Sequence, residues 1–312
     1  MDAVRAVGRG WAVSDWATER GSIVGGSEVV ALFPGEDGFV SEYELFHAKR
    51  GELDRPAIGD DVIWGSLLEP SIIEGTRQVL GWDSTPWAAV APGSLALPDG
   101  VTYVQTDRGM LLKHVSGLGG TPDGIVRRDF QLWLLEIKIA SLWALADWPG
   151  EKDAKELPTA YLLQVWTYLG LLGLARALVA VFVLEQRKLL TFEVEAHPAM
   201  FGLICERVRE FWARVAANDE PDPDPTRDAD AVARRFRAAI RAGTQDRSGD
   251  AAFCDLVAEY RAAREVRLIA EKREEARKTL LLHRIGDAER VIAGPLVVSA
   301  TGGRLSVKET RR

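Results

Sequence analysis

Thiols are nearly absent: Cys205 and Cys254 are the only two cysteines in 312 residues, too few for a zinc ribbon or an iron–sulfur cluster. Both sit in apolar-patterned segments of helical character, which predicts core-filling roles in a reduced compartment. Histidine is scarce too, and His47, His114, His197 and His283 are too scattered to suggest a metal site or a catalytic dyad. Long apolar runs are missing. The best stretches, Leu162 to Leu174 and Leu178 to Leu184, are short or interrupted by Gln164, Thr167 and Gly170, whereas a membrane span needs roughly 20 apolar residues. The opening Met1-Asp2-Ala3-Val4-Arg5 lacks the apolar region of a signal peptide, so the expected location is cytoplasmic, with no membrane partner. Excess positive charge is also lacking. A net charge of -7 argues against a coat of non-specific DNA-binding charge, yet leaves room for an acidic metal pocket beside a local basic channel.

What the chain does have is apolar content, 47% of its residues, enough for one large core or a core with an appendage. Residues 27–33 and 41–50 read as helices, the second with Tyr43, Phe46 and His47 at helical spacing and a stop at Gly51. A third helix, 60–78, offers Ile63, Leu67, Ile72 and Ile73 to a core, with a kink or break expected at Pro70. Short β-branched or aromatic runs at 100–105, 111–115, 124–127 and 131–139 read as strands, with Arg127-Arg128-Asp129-Phe130 as the hairpin turn before the last. Pro158 opens a helix to about Gly173, strands follow at 177–184 and 189–195, and a helix covers 198–217. Strands interleaved with helices predict an α/β core. This domain is expected to fill residues 1–218. Residues 219–226 hold the stiff acidic run Glu220-Pro221-Asp222-Pro223-Asp224-Pro225. Residues 227–312 are expected to form a charged helical arm, with helices at 229–241 and 250–283, ending in a β-hairpin of 290–298 with 303–307. No internal repeat is visible.

Three strings carry chemistry: Gly120-Thr121-Pro122-Asp123-Gly124, Glu136-Ile137-Lys138 and Gln164-Val165-Trp166-Thr167-Tyr168. By strand alternation Leu132, Leu134, Glu136 and Lys138 share one face of their strand, opposite Trp133, Leu135, Ile137 and Ile139. A charged pair at the end of a buried strand is costly unless compensated, and a bound cation is a natural compensation. Glu-x-Lys alone describes any cross-strand salt bridge equally well. The Pro-Asp-Gly thirteen residues upstream of the Glu, with a turn between, brings Asp123 beside Glu136 on adjacent strands. Their hard oxygens, with the Ile137 carbonyl, suit Mg²⁺ or Mn²⁺. Lys138 would then orient or deprotonate an attacking water, or stabilise charge on phosphate oxygens. Gln164 and Tyr168 lie one turn apart on one helix face. They either hold Lys138 and a phosphate in register or are simply a surface amide and a partly buried ring. Together the strings equip a site for metal-assisted phosphodiester hydrolysis.

Pro-Asp…Glu-x-Lys resembles the PD-(D/E)xK nuclease superfamily, and the trailing Gln-x-x-x-Tyr is similar to its RecB-like and phage exonuclease branches. The run from Tyr43 to Gly51, followed by Gly65-Ser66-Leu67-Leu68-Glu69-Pro70, resembles the YqaJ-like viral recombinase family of phage lambda exonuclease. That resemblance implies a restriction-endonuclease-like core and a Mg²⁺-dependent exonuclease that resects double-stranded DNA ends from 5′ to 3′ for recombination. It adds Glu69 to the metal ligands. Through the segment from Arg20 to Val29, it also makes Arg20 and Ser27 a grip for a 5′-terminal phosphate. A homotrimer and a single-strand annealing partner are implied by the family alone. Alternatives are an endonuclease on the same core and a catalytically silent DNA-binding or assembly subunit. The chain departs from the family at Trp166, where a second glutamine is frequent, and in its long Trp-rich segment 141–156. Trp143 and Trp148 are read there as packing on the core, with base stacking as the alternative.

Overall fold

A computed structural model describes residues 15–36, 38–53, 60–91, 93–106, 109–151, 154–238 and 243–309. Residues 1–5, 152–153 and the end of the predicted helix at 239–241 lie outside them. The chain divides into two compact units, Met1–Ala239 and Ile240–Arg312.

The centre of the first unit is a five-stranded mixed sheet. Its strands, numbered along the chain, are β2 (Asp83–Pro86), β6 (Gly124–Arg128), β7 (Gln131–Ala140), β10 (Arg176–Val183) and β11 (Lys188–Glu195), in the spatial order β11-β10-β7-β6-β2. Only the β7–β10 pair is parallel. That pair is the sheet's middle, and β10 accordingly reads as an unbroken apolar run, buried from Ala177 to Val181. A two-residue loop joins β6 to β7. Asp129 and Phe130 both adopt positive φ, 49° and 63°, as a hairpin turn matched to strand twist requires.

Helices cover both faces of this sheet. On one lies α5 (Thr159–Leu172), whose Leu163, Val165 and Leu169 join Leu134, Val179 and Val181 in the main core. Full burial of each such side chain is worth about 1.5–3 kcal/mol. Behind it packs α6 (Pro198–Ala217), and Gly170 makes that approach possible: a Cβ there would lie 2.1 Å from the Phe201 ring. The other face is covered by α3 (Asp60–Leu80), which places Ile72 and Ile73 against Val126, Trp133, Leu135 and Ile137. Pro70 does not break α3. It is solvent-facing, so water can serve the carbonyl that its missing N–H leaves unpaired. Ile63 and Leu67, expected in the core, are exposed.

A second, four-stranded sheet holds β1 (Val24–Gly25), β5 (Leu118–Gly120), β4 (Gly109–His114) and β3 (Val101–Thr106), in that order. Ahead of β1 lies the short α1 (Trp16–Gly21). The helix predicted at 27–33 is a 3₁₀ turn, Val29–Leu32, and α2 spans Glu42–Lys49 with Ser41 as its N-cap. After β7 come α4 (Leu142–Ala146) and a small ribbon of β8 (Gly150–Glu151) and β9 (Ala154–Lys155).

The helix α7 (Ala229–Ala238) corrects the expected boundary at residue 227. Ala231 is buried with Tyr43 and Leu53, Arg234 pairs with Glu44, and Arg235 grips Glu220 at 2.9 and 3.0 Å. It therefore belongs to the first unit.

The second unit contains α8 (Ala251–Ile285) and an antiparallel sheet of β12 (Arg290–Ala293), β13 (Leu296–Thr301) and β14 (Arg304–Glu309). The predicted strand 290–298 is thus two, separated at Gly294 by a positive φ of 64°. Cys205 is buried as expected, whereas Cys254 lies exposed on α8, which buries no residue. Among the described residues, no helix is long and apolar enough to cross a membrane.

Candidate active site

β6 starts at Gly124, opposite Leu135 of β7, so the next inward-facing β7 amide has no strand partner on that side. Asp123 fills the gap. Its Oδ2 accepts the Ile137 N–H at 2.7 Å, while its own carbonyl accepts the Trp87 N–H at 2.9 Å. An extended residue presents its N–H and C=O to the same strand edge, so the Ile137 carbonyl faces the side occupied by Asp123. Hairpin register and strand alternation together bring Asp123, Glu136 and Lys138 to one end of the sheet.

From the other layer, α5 delivers Gln164. Lys138 Nζ donates to Glu136 Oε1 at 2.8 Å and to Gln164 Oε1 at 3.0 Å, and Gln164 Nε2 donates to the same Glu136 oxygen at 2.6 Å. These three groups close a triangle. Gln164 is buried within it, so of its two readings the surface amide is excluded. Tyr161, one turn earlier on α5, sets its ring 5.2 Å from Lys138 Nζ. Its one signal in the sequence is the three-residue spacing to Gln164.

Tyr168 occupies a slot between two glycines. A Cβ on Gly26 would lie 2.9 Å from its ring, and one on Gly120 would lie 2.6 Å away. Burial raises its phenol well above the ordinary range, helped by the charge of Glu136. Trp166 has turned elsewhere. Its Nε1 donates to the Glu195 carbonyl at 3.1 Å and its ring meets His197 edge-on at 5.3 Å.

The electrostatics are those of crowded carboxylates. Burial pushes the Asp123 carboxyl well up and the charge of Glu136 pushes it further, while Lys138 and the Ile137 N–H only partly offset this. Glu69 on α3 is raised in the same way, by burial first and Glu136 second. Burial alone would lower Lys138, but the charges of Glu136 and Asp123 outweigh it and hold the ammonium above its usual range. Glu136 Oε2 is buried without a hydrogen-bond partner. A bare, buried carboxylate oxygen beside a second strained carboxyl is a donor set that suits a hard divalent cation. Among the described residues, no three His, Cys, Asp or Glu side chains form a metal-ligating cluster. Glu69, expected as a third carboxylate ligand, therefore stands near the pair without closing the set.

Arg20 stands close enough to Tyr168 for its charge to favour the ionised phenol. Arg20 packs over Gly25, where a Cβ would collide with its Nη1 at 1.4 Å, and its Nη2 lies 3.5 Å from Glu28. Glu28 also accepts from the Gly25 N–H at 2.8 Å and from the buried Lys49 at 2.9 Å. Arg20 Nη1 and Thr121 Oγ1 are both buried without a hydrogen-bond partner. Ser27 is half-buried just before the 3₁₀ turn.

No protein-family model matches the chain, and no curated protein does. Among solved structures, it is similar to an alkaline exonuclease (LHK-Exo) from Laribacter hongkongensis, at 20% identity and a TM-score of 0.46 over 65% of this chain and 91% of that one. The same enzyme in complex with dAMP gives 19% identity and again a TM-score of 0.46. A phage-related exonuclease from Haemophilus somnus 129PT shows 14% identity and a TM-score of 0.36, over 57% of this chain and 81% of that one. At such scores the likeness is a partial one of backbone, and the chemistry rests on the chain's own side chains.

Proposed function

We propose that this protein is a Mg²⁺-dependent deoxyribonuclease, an exonuclease that resects double-stranded DNA from a 5′ end in recombination. The observation that carries the reading is the unpartnered Glu136 Oε2, buried beside Asp123 and tied through its other oxygen to Lys138 and Gln164. Asp123, Glu136 and the Ile137 carbonyl are the proposed Mg²⁺ or Mn²⁺ ligands, with Glu69, which the resemblance adds, as the proposed third carboxylate. The bound ion would supply Lewis-acid polarisation of the phosphate and a water of lowered pKa.

The remaining work falls to the chain's own groups. Hydrolysis joins a water oxygen to phosphorus and breaks a bridging P–O bond, whose sugar oxygen leaves with a proton. Negative charge gathers on the non-bridging oxygens on the way. Lys138, kept protonated by its two carboxylate neighbours, is a donor suited to that charge. Gln164 fixes where the ammonium stands. Arg20 carries a free, buried N–H group and is the proposed fork for the terminal phosphate, and Ser27 is the proposed second group of that grip. Double-stranded ends are the proposed substrate, and a homotrimer working with a single-strand annealing protein is the proposed assembly.

Two measurements test the site assignment. Lys138→Ala is expected to bind duplex DNA within about threefold of the parent and to cleave at least about 100-fold more slowly. Mg²⁺ is expected to raise the unfolding temperature of the parent protein and to leave Glu136→Gln unchanged. Undiminished cleavage by Lys138→Ala, or an equal Mg²⁺ shift in Glu136→Gln, would overturn the assignment.

A further inference from the structure

In the Trp-rich segment, the described residues 141–151 and 154–156 are not a free loop. Ser141 caps α4, the Leu142 N–H donates to Glu185 Oε2 at 2.9 Å, and Lys155 Nζ ties the far end back to the carbonyls of Ala146 and Trp148 at 3.0 and 2.9 Å. So held, Trp148 is buried, at 7% exposure, while Trp143 stands out at 79%. Trp148 meets Tyr161 edge-on, with centroids 5.5 Å apart and planes at 71°, and leans on Phe192 of β11 at 6.1 Å. Edge-to-face rings at such spacing attract beyond their burial alone. Tyr161 in turn stands against the Lys138 ammonium. Phe192, Trp148, Tyr161 and Lys138 therefore form one continuous line from the sheet edge to the active site.

Lys138 needs such support. An ammonium on a four-carbon stem has three donors and many rotamers. Two donors are fixed by Glu136 and Gln164, and at 5.2 Å the Tyr161 ring is within the range where an aromatic face attracts a cation. We propose that Tyr161, backed by Trp148, is a positioning residue that holds the Lys138 ammonium for phosphodiester hydrolysis, and that segment 141–156 supplies the backing. This rests on the nuclease reading above. The ring, not the hydroxyl, does the holding.

Steady-state cleavage of a short 5′-phosphorylated duplex in Mg²⁺ tests it, with the parent protein and Lys138→Ala as references. Tyr161→Leu should lower kcat about tenfold and leave KM within about twofold, while Tyr161→Phe stays within about twofold in both. Trp148→Phe should lower kcat about threefold. In the Lys138→Ala background, Tyr161→Leu should cause no further loss, since the group it positions is gone. Parent-like kcat in Tyr161→Leu, or equal losses in Phe and Leu variants, would overturn the proposal while a dead Lys138→Ala left the nuclease reading intact. Parent-like cleavage by Lys138→Ala would instead remove the reading on which the proposal rests. Where Tyr161→Leu fails to unfold cooperatively, Trp148→Phe decides, and an unchanged kcat there counts against the proposal.

Discussion

At the scale of single residues, the site is organised by what each polar atom lacks as much as by what it has. Glu136 gives one oxygen to Lys138 and Gln164 and keeps the other bare, and Asp123 spends an oxygen on a backbone amide that its own strand has left open. Gly120 of the first string makes room for Tyr168. Gly120→Ala would drive a methyl group to within 2.6 Å of that ring, and we expect a loss of about 1–3 kcal/mol in denaturant unfolding, as for other overpacked sites. Glu28 offers a pH test. Burial would raise its carboxyl, but Arg20 and Lys49 outweigh that and hold it below the ordinary range. A depressed folded-state pKa gives stability that is present above the unfolded value and lost as pH falls through the folded one. Glu28→Gln should therefore lower the unfolding temperature clearly at pH 7 and much less in acid below the carboxylate range. A penalty that persisted in acid would show that charge is not the cause. Asp123, Glu136 and Lys138 were legible because strand period and hairpin spacing are local rules. The burial of Gln164 and the ring of Tyr161 were not, since both depend on where α5 docks.

At the scale of elements, long periodic segments declared themselves and short ones did not. The helices at 42–49, 159–172 and 198–217 and the central-sheet strands β6, β7, β10 and β11 lie within a few residues of their sequence signals. β1, β2, β5 and the β8–β9 ribbon went unread, being two to four residues long and partnered only in three dimensions. Ile63 and Leu67 misled because a helical stripe does not say which part of a long helix meets the sheet. The β6–β7 hairpin carries a measurable cost. Phe130 holds a positive φ while 99% exposed, so its side chain has nothing to pack on. Phe130→Gly should stabilise the fold by about 0.5–1 kcal/mol in denaturant unfolding, the left-handed penalty less the added unfolded-state entropy. A destabilised variant would mean that this turn geometry is wrong.

At the scale of the whole molecule, composition correctly pointed to a large core, but the proline-rich run misplaced the boundary. Glu220 within that run pairs with Arg235 and approaches the buried His47 at 3.5 Å, so the start of the segment is fastened to both α2 and α7. A chain ending after Ala239 should unfold close to the full-length midpoint for the first unit, whereas one ending after Asn218 should lose about 2 kcal/mol or more, having shed the α7 contacts. Equal stability of the two truncations would return the boundary to residue 218. The functional account stands or falls on a DNA end and a divalent ion. Its most direct test is digestion of 5′-labelled linear duplex and of covalently closed circular duplex, each with Mg²⁺ and with chelator. The account predicts that label leaves the linear duplex as mononucleotide in Mg²⁺ alone while the closed circle survives; cleavage of the circle, or digestion that persists in chelator, would contradict it.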